Sequence, residues 1–446
     1  MELLRSVKIN AHLPVLLIMD APIRCVLSCP ALCLGSFPAS QYSILKISMA
    51  MTMMGTFYKL VSANRERSYC VSLAPGISVG KVSELIRAID GRKALLVTTP
   101  TVARLYANKI AGRLIESGVD LSMVVLECTE RSKSFTEVER LCQKCFEVDL
   151  DRRSLLIGLG GGVCTDLVTM AASLTRRGLS YLRIPTTLIG LIDAGIGVKG
   201  AVNLPNKKSA IGVFCPPDHV LLDPAFLQTL PRGLISDGLA EAIKVGVAID
   251  PLLFEFLEQF SNELLKSPST ADMTKLTELV WRSSLRLLEE LEKNLYEDKT
   301  YQRVLDFGHT FSPLLESMSD FQVSHGVAVA IDIALSSALA HELGLLSFED
   351  RNRILRSLRT AGLPISSPVL TDEVCVKALG EIEAHRGGHL NLVVPSRIGR
   401  SVFINEKQRL PVSALQRALR FLDQESSGQT LLRPVASTVT HAAPRD

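Results

Sequence analysis

Three stretches of the chain carry residue types whose spacing could do chemistry. The first is Gly158-Leu-Gly-Gly-Gly-Val-Cys-Thr-Asp166. An apolar strand runs into Gly160, Gly161 and Gly162 and then opens a helix. Such glycines let backbone N–H groups approach a phosphate, and a helix N-terminus favours an anion. The pattern is not G-x-G-x-x-G and has no Walker lysine, so a dinucleotide turn and a merely tight turn both fit. The second stretch is Ile184-Pro-Thr-Thr-Leu188, followed by Asp193-Ala-Gly-Ile-Gly-Val-Lys199, Asn203 and Lys207-Lys208. An acid, several lysines and an amide in a Gly-rich loop could hold a phosphate and stabilise developing charge. A solvated, mobile loop is the bland alternative. The third is dispersed. Glu241 has Lys244 one helical turn on, on the same face; His309 lies in Asp306-Phe-Gly-His309; His325 begins a helix. One carboxylate and two imidazoles form the donor set of a catalytic zinc that leaves positions open. Taken singly, each histidine reads equally as a cap or a core residue.

These residues need a frame. Tyr69–Leu73, Ala94–Thr98, Ser122–Glu127, Ser154–Leu159, Leu182–Ile184 and Val220–Leu222 read as strands. Helical patterns at Val82–Ala88, Val102–Ser117, Phe135–Val148 and from Gly162 to Arg176 alternate with them. That alternation implies a Rossmann-like parallel sheet wrapped by helices. After Asp223 the spacing becomes helical: Ser236–Ile249, Pro251–Leu265, Ala271–Leu291, Phe311–Ser317, His325–Leu343, Phe348–Thr360 and Val412–Leu422. The expected organisation is a poorly ordered extension at 1–65, an α/β nucleotide domain at 66–225, a mostly helical metal and substrate domain at 226–423, and a disordered tail at 424–446. Ligands of parallel sheets sit beyond the carboxyl ends of the strands, which places the active site between the two domains.

Composition excludes several classes. The 446 residues include 49 Lys+Arg and 46 Asp+Glu, a net charge of +3, which argues against broad nucleic-acid binding. No long uncharged apolar run suggests a membrane span. The ten cysteines show no zinc-ribbon or secreted-scaffold spacing and point to free thiols in the cytoplasm. Cys142 and Cys145 have C-x-x-C spacing but fall in a helical pattern, as inert helix residues. Ala11–Phe37 is apolar yet broken by Asp20, Arg24 and three prolines, so it fits an extension better than a signal-like segment. Residues 424–446 are rich in Ser, Thr, Gln and Pro.

Together the motifs resemble the sugar phosphate cyclases, the superfamily of 3-dehydroquinate synthase. The resemblance spans about Ser68 to Arg400 and rests on their order: Glu130-Arg-Ser-Lys133, the Gly160–Asp166 turn, Arg177-Gly178, Pro185-Thr-Thr187, Asp193 to Lys199, Thr229-Leu-Pro231, Ala240-Glu-Ala-Ile-Lys244, Phe307-Gly-His-Thr-Phe311 and His325-Gly-Val-Ala-Val-Ala330. It implies NAD held by Glu130, Lys133, Gly161, Gly162, Asp166, Thr186, Thr187, Lys199, Lys208, Phe226 and Thr229. It implies zinc, with cobalt as a substitute, on Glu241, His309 and His325. Asp193, Lys199 and Lys244 match substrate-site residues. Arg177 matches an arginine that binds the substrate phosphate across the interface of a homodimer.

The departures from dehydroquinate synthase concern the substrate. That enzyme has a second histidine four residues after the first; here the position is Pro313, which transfers no proton. An asparagine before Phe-Gly-His is replaced by Asp306, a late Gly-Lys by Gly388-His389, and an arginine by Gln302 beside Arg303. Losing cationic partners disfavours a buried substrate carboxylate. This set is similar to the sedoheptulose 7-phosphate cyclases, most of all the 2-epi-5-epi-valiolone synthases, including the animal-type enzymes of gadusol synthesis. The implied reaction is a carbon–oxygen lyase cyclisation of sedoheptulose 7-phosphate. It combines transient oxidation by NAD, β-elimination of phosphate, re-reduction and aldol closure. Asp306 and His389 would then select substrate hydroxyls. A 3-dehydroquinate synthase or another heptulose phosphate cyclase is the near alternative. A metal-dependent polyol dehydrogenase and a non-catalytic nucleotide-binding descendant are more distant.

Overall fold

The computed structural model describes residues 50–53, 56–59, 67–205, 207–319, 322–385, 388–406 and 410–427. Two compact units divide the chain at Arg65. In the first, strands β1 (Ala50–Met53) and β2 (Thr56–Lys59) pair antiparallel, so the expected poorly ordered extension contains regular structure; the rest of it lies outside the described residues.

The second unit is built on six strands: β3 (Cys70–Leu73), β4 (Ala94–Thr98), β5 (Leu121–Val125), β6 (Leu155–Gly160), β7 (Ser180–Pro185) and β10 (His219–Leu222). They form one parallel sheet in the order β3-β10-β7-β6-β4-β5. β4 and β6 are buried along their whole length, as continuous apolar runs covered on both faces must be. The connecting helices are α1 (Ser83–Ile89), α2 (Pro100–Val102) continuing through a π-helical turn into α3 (Asn108–Glu116), α4 (Phe135–Glu147) and α5 (Gly162–Leu174). Cys142 and Cys145 fall inside α4, and Cys145 is buried there.

The sequence from Asp193 to Lys208 is not the Gly-rich loop it reads as. Strand β8 (Lys199–Leu204) turns back at once into β9 (Lys207–Phe214), an antiparallel hairpin. Glycines and lysines dilute the alternation that would have announced it, although Val202 is fully buried between Gly200 and Asn203. The buried Arg183 of β7 pins the approach to the hairpin by donating to the carbonyls of Gly197 (2.6 Å) and Lys199 (2.8 Å).

Helices follow: α6 (Arg232–Ile249), α7 (Pro251–Lys266), α8 (Met273–Lys293), α9 (Ser312–Met318), α10 (His325–Glu342), α11 (Phe348–Thr360), α12 (Asp372–His385) and α13 (Val412–Ser427). α6 and α10 are the apolar centre of this half, buried almost all round. They touch so closely that a Cβ on Gly326 would lie 2.2 Å from the Asp237 Cα. α12 also escapes the sequence reading, as does the hairpin of β11 (Leu392–Arg397) with β12 (Arg400–Ile404), which turns on the left-handed Gly399. α6 begins before the expected Ser236, because Pro231 is a good entry to a helix. α13 runs past the expected start of the disordered tail to Ser427; residues 428–446 lie outside the described ones.

Candidate active site

The carboxyl ends of β6 and β7 deliver the first group. Gly161 caps α5 with no side chain over its amides, so the first-turn N–H groups are open to an anion. A Cβ on Gly161 would crowd Thr187 Cγ2 at 3.0 Å, whereas one on Gly162 would find its nearest neighbour only at 3.6 Å. Thr186 is buried, its N–H donating to the Gly160 carbonyl (2.9 Å). Lys133 is buried against Asp166, 2.5 Å away. Burial opposes the lysine's charge, but the Asp166 carboxylate and then Glu130 outweigh it and raise its pKa. Burial likewise raises Asp166 despite Lys133. Glu130 accepts from Asn203 Nδ2 of β8 (2.8 Å), and the Asn203 N–H donates to the Lys133 carbonyl (2.8 Å), so the hairpin braces this acid–base pair.

The second group is assembled by α6, α10 and the loop before α9. Glu241 Oε1 lies 3.0 Å from His325 Nε2 and 3.6 Å from His309 Nε2, and one donor atom from each of the three falls within 4.8 Å of the others. Glu241 is buried; both imidazoles are half-buried. Lys244 Nζ stands 2.5 Å from Glu241 Oε2 and 3.3 Å from Asp193 Oδ2, the latter from the π-helical turn Gly190–Ala194. Burial opposes the Lys244 charge, but the two carboxylates raise its pKa. Burial raises Asp193, with Lys244 opposing.

Glu316, which sequence reasoning passes over, accepts at Oε1 from His325 Nδ1 (3.0 Å) and pairs with Lys208 of β9. This fixes His325 with Nε2 toward Glu241, the second-shell arrangement that orients a metal-ligating imidazole. Burial works against the Glu316 carboxylate, yet His325 and Lys208 hold it at about 2. Burial and Lys208 oppose protonation of His325, but hydrogen bonds to Glu241 and Glu316 raise its pKa to about 9. His309, by contrast, is held at about 4 by burial and the Lys244 cation. Another overlooked carboxylate, Asp332, lies two turns along α10 from His325. It accepts the N–H groups of Phe311 (2.5 Å) and Ser312 (2.9 Å) and so anchors the His309 loop to the His325 helix. Its only sequence signal is an acid inside an apolar helix; Glu316 gives the same signal in α9.

Other expected site residues fall elsewhere. Lys208 stands 3.2 Å from His325 Nδ1, which ties it to the imidazoles. Phe226 is a core residue, edge-on to Tyr106 at 4.8 Å, with no side-chain surface to offer a ligand; Thr229 touches the Tyr106 hydroxyl. Lys199 pairs with Glu297 at the rim; Asp306 is forked by Arg303 at 2.9 and 3.1 Å. More than half of the Lys199 side chain reaches solvent, yet partial desolvation and then Arg303 lower its pKa. His389 is exposed in the turn before β11. Arg177 is exposed ahead of β7, at the opposite end of the strands from the glycine turn.

The donor chemistry fits a divalent cation: one carboxylate and two imidazoles converge, each imidazole presenting Nε2 while its Nδ1 faces another acceptor, Glu316 or the Phe307 carbonyl (3.4 Å). The open, side-chain-free start of α5 fits a pyrophosphate. Two family models match the chain, 3-dehydroquinate synthase N-terminal over residues 123–237 and 3-dehydroquinate synthase C-terminal over 238–381. The chain belongs to the 3-dehydroquinate synthase family. It is 38% identical over 362 residues to the 2-epi-5-epi-valiolone synthase of Streptomyces glaucescens, covering 80% of this chain and 92% of that one. It is 37% identical over 343 residues to the 3-dehydroquinate synthase of Pelotomaculum thermopropionicum, covering 76% and 91%. The structure of ValA, the 2-epi-5-epi-valiolone synthase of Streptomyces hygroscopicus subsp. jinggangensis 5008 with NAD+ and Zn2+ bound, superposes with a TM-score of 0.77 at 36% identity, covering 82% and 99%. The fold is thus that of the family, a parallel-sheet half followed by a helical half, as the sequence implies.

Proposed function

We propose that this protein cyclises sedoheptulose 7-phosphate to 2-epi-5-epi-valiolone with release of phosphate, a carbon–oxygen lyase reaction. The observation that carries it is the convergence of Glu241, His309 and His325 with Lys244 and Asp193 against them. Glu241, His309 and His325 would hold Zn2+, and cobalt could replace it. The Gly161–Gly162 turn, Glu130, Lys133, Asp166, Thr186 and Thr187 would hold NAD. When bound, the metal ion polarises a substrate hydroxyl and the nicotinamide takes up and returns a hydride, so turnover leaves no net oxidation.

The chain's own groups do the rest. Lys244, kept charged by two carboxylates, stabilises developing oxyanions, and Lys199 does so from the rim. Asp193 shares a proton-transfer position with Lys244. The departing phosphate itself takes the C–H proton, which would explain the tolerance of Pro313 where a family synthase has a histidine. Asp306 and His389 select hydroxyls. Arg177, exposed at the amino end of β7, binds the substrate phosphate in the neighbouring subunit's site in a homodimer. The sheet half at 66–225 and the helical half at 226–423 act as nucleotide and metal domains. The seven described cysteines are free thiols, which supports a cytoplasmic setting. No helix among the described residues is long and apolar enough to cross a membrane.

Incubation of the purified protein with sedoheptulose 7-phosphate and NAD+ tests the reading. A carbocyclic product by NMR, with one phosphate released per product and no accumulated NADH, is expected. NADH accumulating in step with a ketone product would instead mark a polyol dehydrogenase. Turnover of a heptulosonate phosphate alone would mark a dehydroquinate synthase.

A further inference from the structure

Glu297 lies between α8 and the Val304–Asp306 turn, with its backbone in the left-handed region at φ 55°, which a non-glycine residue rarely adopts. The turn is over-determined. The Glu297 N–H donates to the Asn294 carbonyl (3.0 Å), and the buried Asn294 side chain donates to the Thr300 carbonyl (2.8 Å) and accepts the Lys299 N–H (2.9 Å). Strain maintained by surrounding structure points to a position where the side chain is needed.

That side chain contacts two cations. One oxygen meets the Lys199 ammonium and the other the Arg303 guanidinium. Arg303 also grips Asp306 at 2.9 Å. Two cations and two carboxylates close into a neutral group, and the side chains of Glu297, Arg303 and Asp306 are all largely sheltered. The group borders the site: the Asp306 carbonyl accepts the His309 N–H (3.0 Å), and Lys199 feels the charges of Asp193 and Lys244.

We propose that Glu297 is a specificity-determining residue. By pairing one carboxylate with both Lys199 and Arg303, it sets a negative charge between the two cations and so favours a sugar phosphate whose far end carries hydroxyls over one that carries a carboxylate there. This rests on the reading that the ligand is a seven-carbon sugar phosphate. A substrate carboxylate must be desolvated to enter, which needs an unpaired cation. Here it would have to displace Glu297. A hydroxyl instead donates to the carboxylates already present.

The test compares wild type with Glu297→Gln and Glu297→Gly; glycine accepts the left-handed backbone without strain, so it keeps the turn if glutamine disturbs it. Calorimetric titration with NADH in place of NAD+, so that no hydride can be withdrawn and the ligand is not turned over, gives dissociation constants for sedoheptulose 7-phosphate and for a heptulosonate 7-phosphate, which bears the carboxylate. Wild type prefers the first. In both variants the ratio of the two constants moves toward the heptulosonate by about tenfold. A ratio within about twofold of wild type in both variants overturns the proposal, as does a wild type that binds the heptulosonate at least as well. A wild type that shows the binding preference but releases no phosphate from sedoheptulose 7-phosphate leaves the role of Glu297 standing and removes the proposed reaction.

Discussion

Two imidazoles with one ordinary chemistry are driven apart by their neighbours: burial and Lys244 hold His309 at about 4, while Glu241 and Glu316 lift His325 to about 9. Three predictions follow at this scale from what each group touches. Glu241→Gln and His309→Ala each remove one donor, so both should lose bound metal by elemental analysis and turnover by more than about a hundredfold, with an unchanged circular dichroism spectrum. Glu316→Ala leaves the donors but frees His325, so metal affinity should fall by about ten- to a hundredfold, measured by competition with a chelator. Lys199→Ala should lose about a thousandfold in kcat, because a rim cation acts on developing charge. The donors are legible in the sequence through the motifs that carry them, Ala240-Glu-Ala-Ile-Lys244, Phe307-Gly-His-Thr-Phe311 and His325-Gly-Val-Ala-Val-Ala330, since each histidine taken singly reads equally as a cap or a core residue. Glu316 and Asp332 were passed over because their partners, His325 and the Phe311–Ser312 amides, are set by how α9 lies against α10, which no local pattern encodes.

The helices hold these residues in register through a few close contacts. A Cβ on Gly326 would meet the Asp237 Cα at 2.2 Å, so Gly326→Ala must push α10 off α6 and separate His325 from Glu241. Thermal unfolding should show a loss of about 3 kcal/mol, with metal binding weakened in parallel. Asp250 ends α6 and ties it to α7 and α8. Its carboxylate caps α7 at the Leu253 N–H (3.0 Å) and is gripped from α8 by Arg282 (2.9 Å) and Arg286 (2.9 Å). Burial opposes its charge, but the two guanidiniums and the cap lower its pKa from 3.8 to about 2. A carboxylate whose folded pKa is depressed adds stability above its unfolded value and loses it as pH falls through the folded one. Asp250→Ala should therefore cost about 2 kcal/mol in urea unfolding at neutral pH, and the difference from wild type should vanish as pH drops from about 4 toward 2. The α/β alternation and the long helices were legible from periodicity. The β8–β9 hairpin was not, because Gly200, Gly212 and the lysines that carry chemistry there displace the residues that make alternation visible.

At the scale of the molecule, one chain assembles a nucleotide-type turn and a cluster of metal donors, while Arg177 sits exposed at the other end of the parallel strands. If Arg177 serves a neighbour, Arg177→Ala and Lys244→Ala, each inactive alone, should recover about a quarter of wild-type turnover when mixed and refolded together, since half the dimers carry one intact site. No recovery, with a dimer seen by sedimentation, would show that Arg177 does not serve the neighbouring subunit's site. The proposed chemistry passes through a single ion shared by Glu241, His309 and His325. The most direct measurement is anomalous diffraction at the zinc edge from crystals of the purified protein. One peak is expected within about 2.0–2.2 Å of Glu241, His309 and His325 together. A map with no peak between these three side chains, or with its peak on another set of ligands, would contradict it.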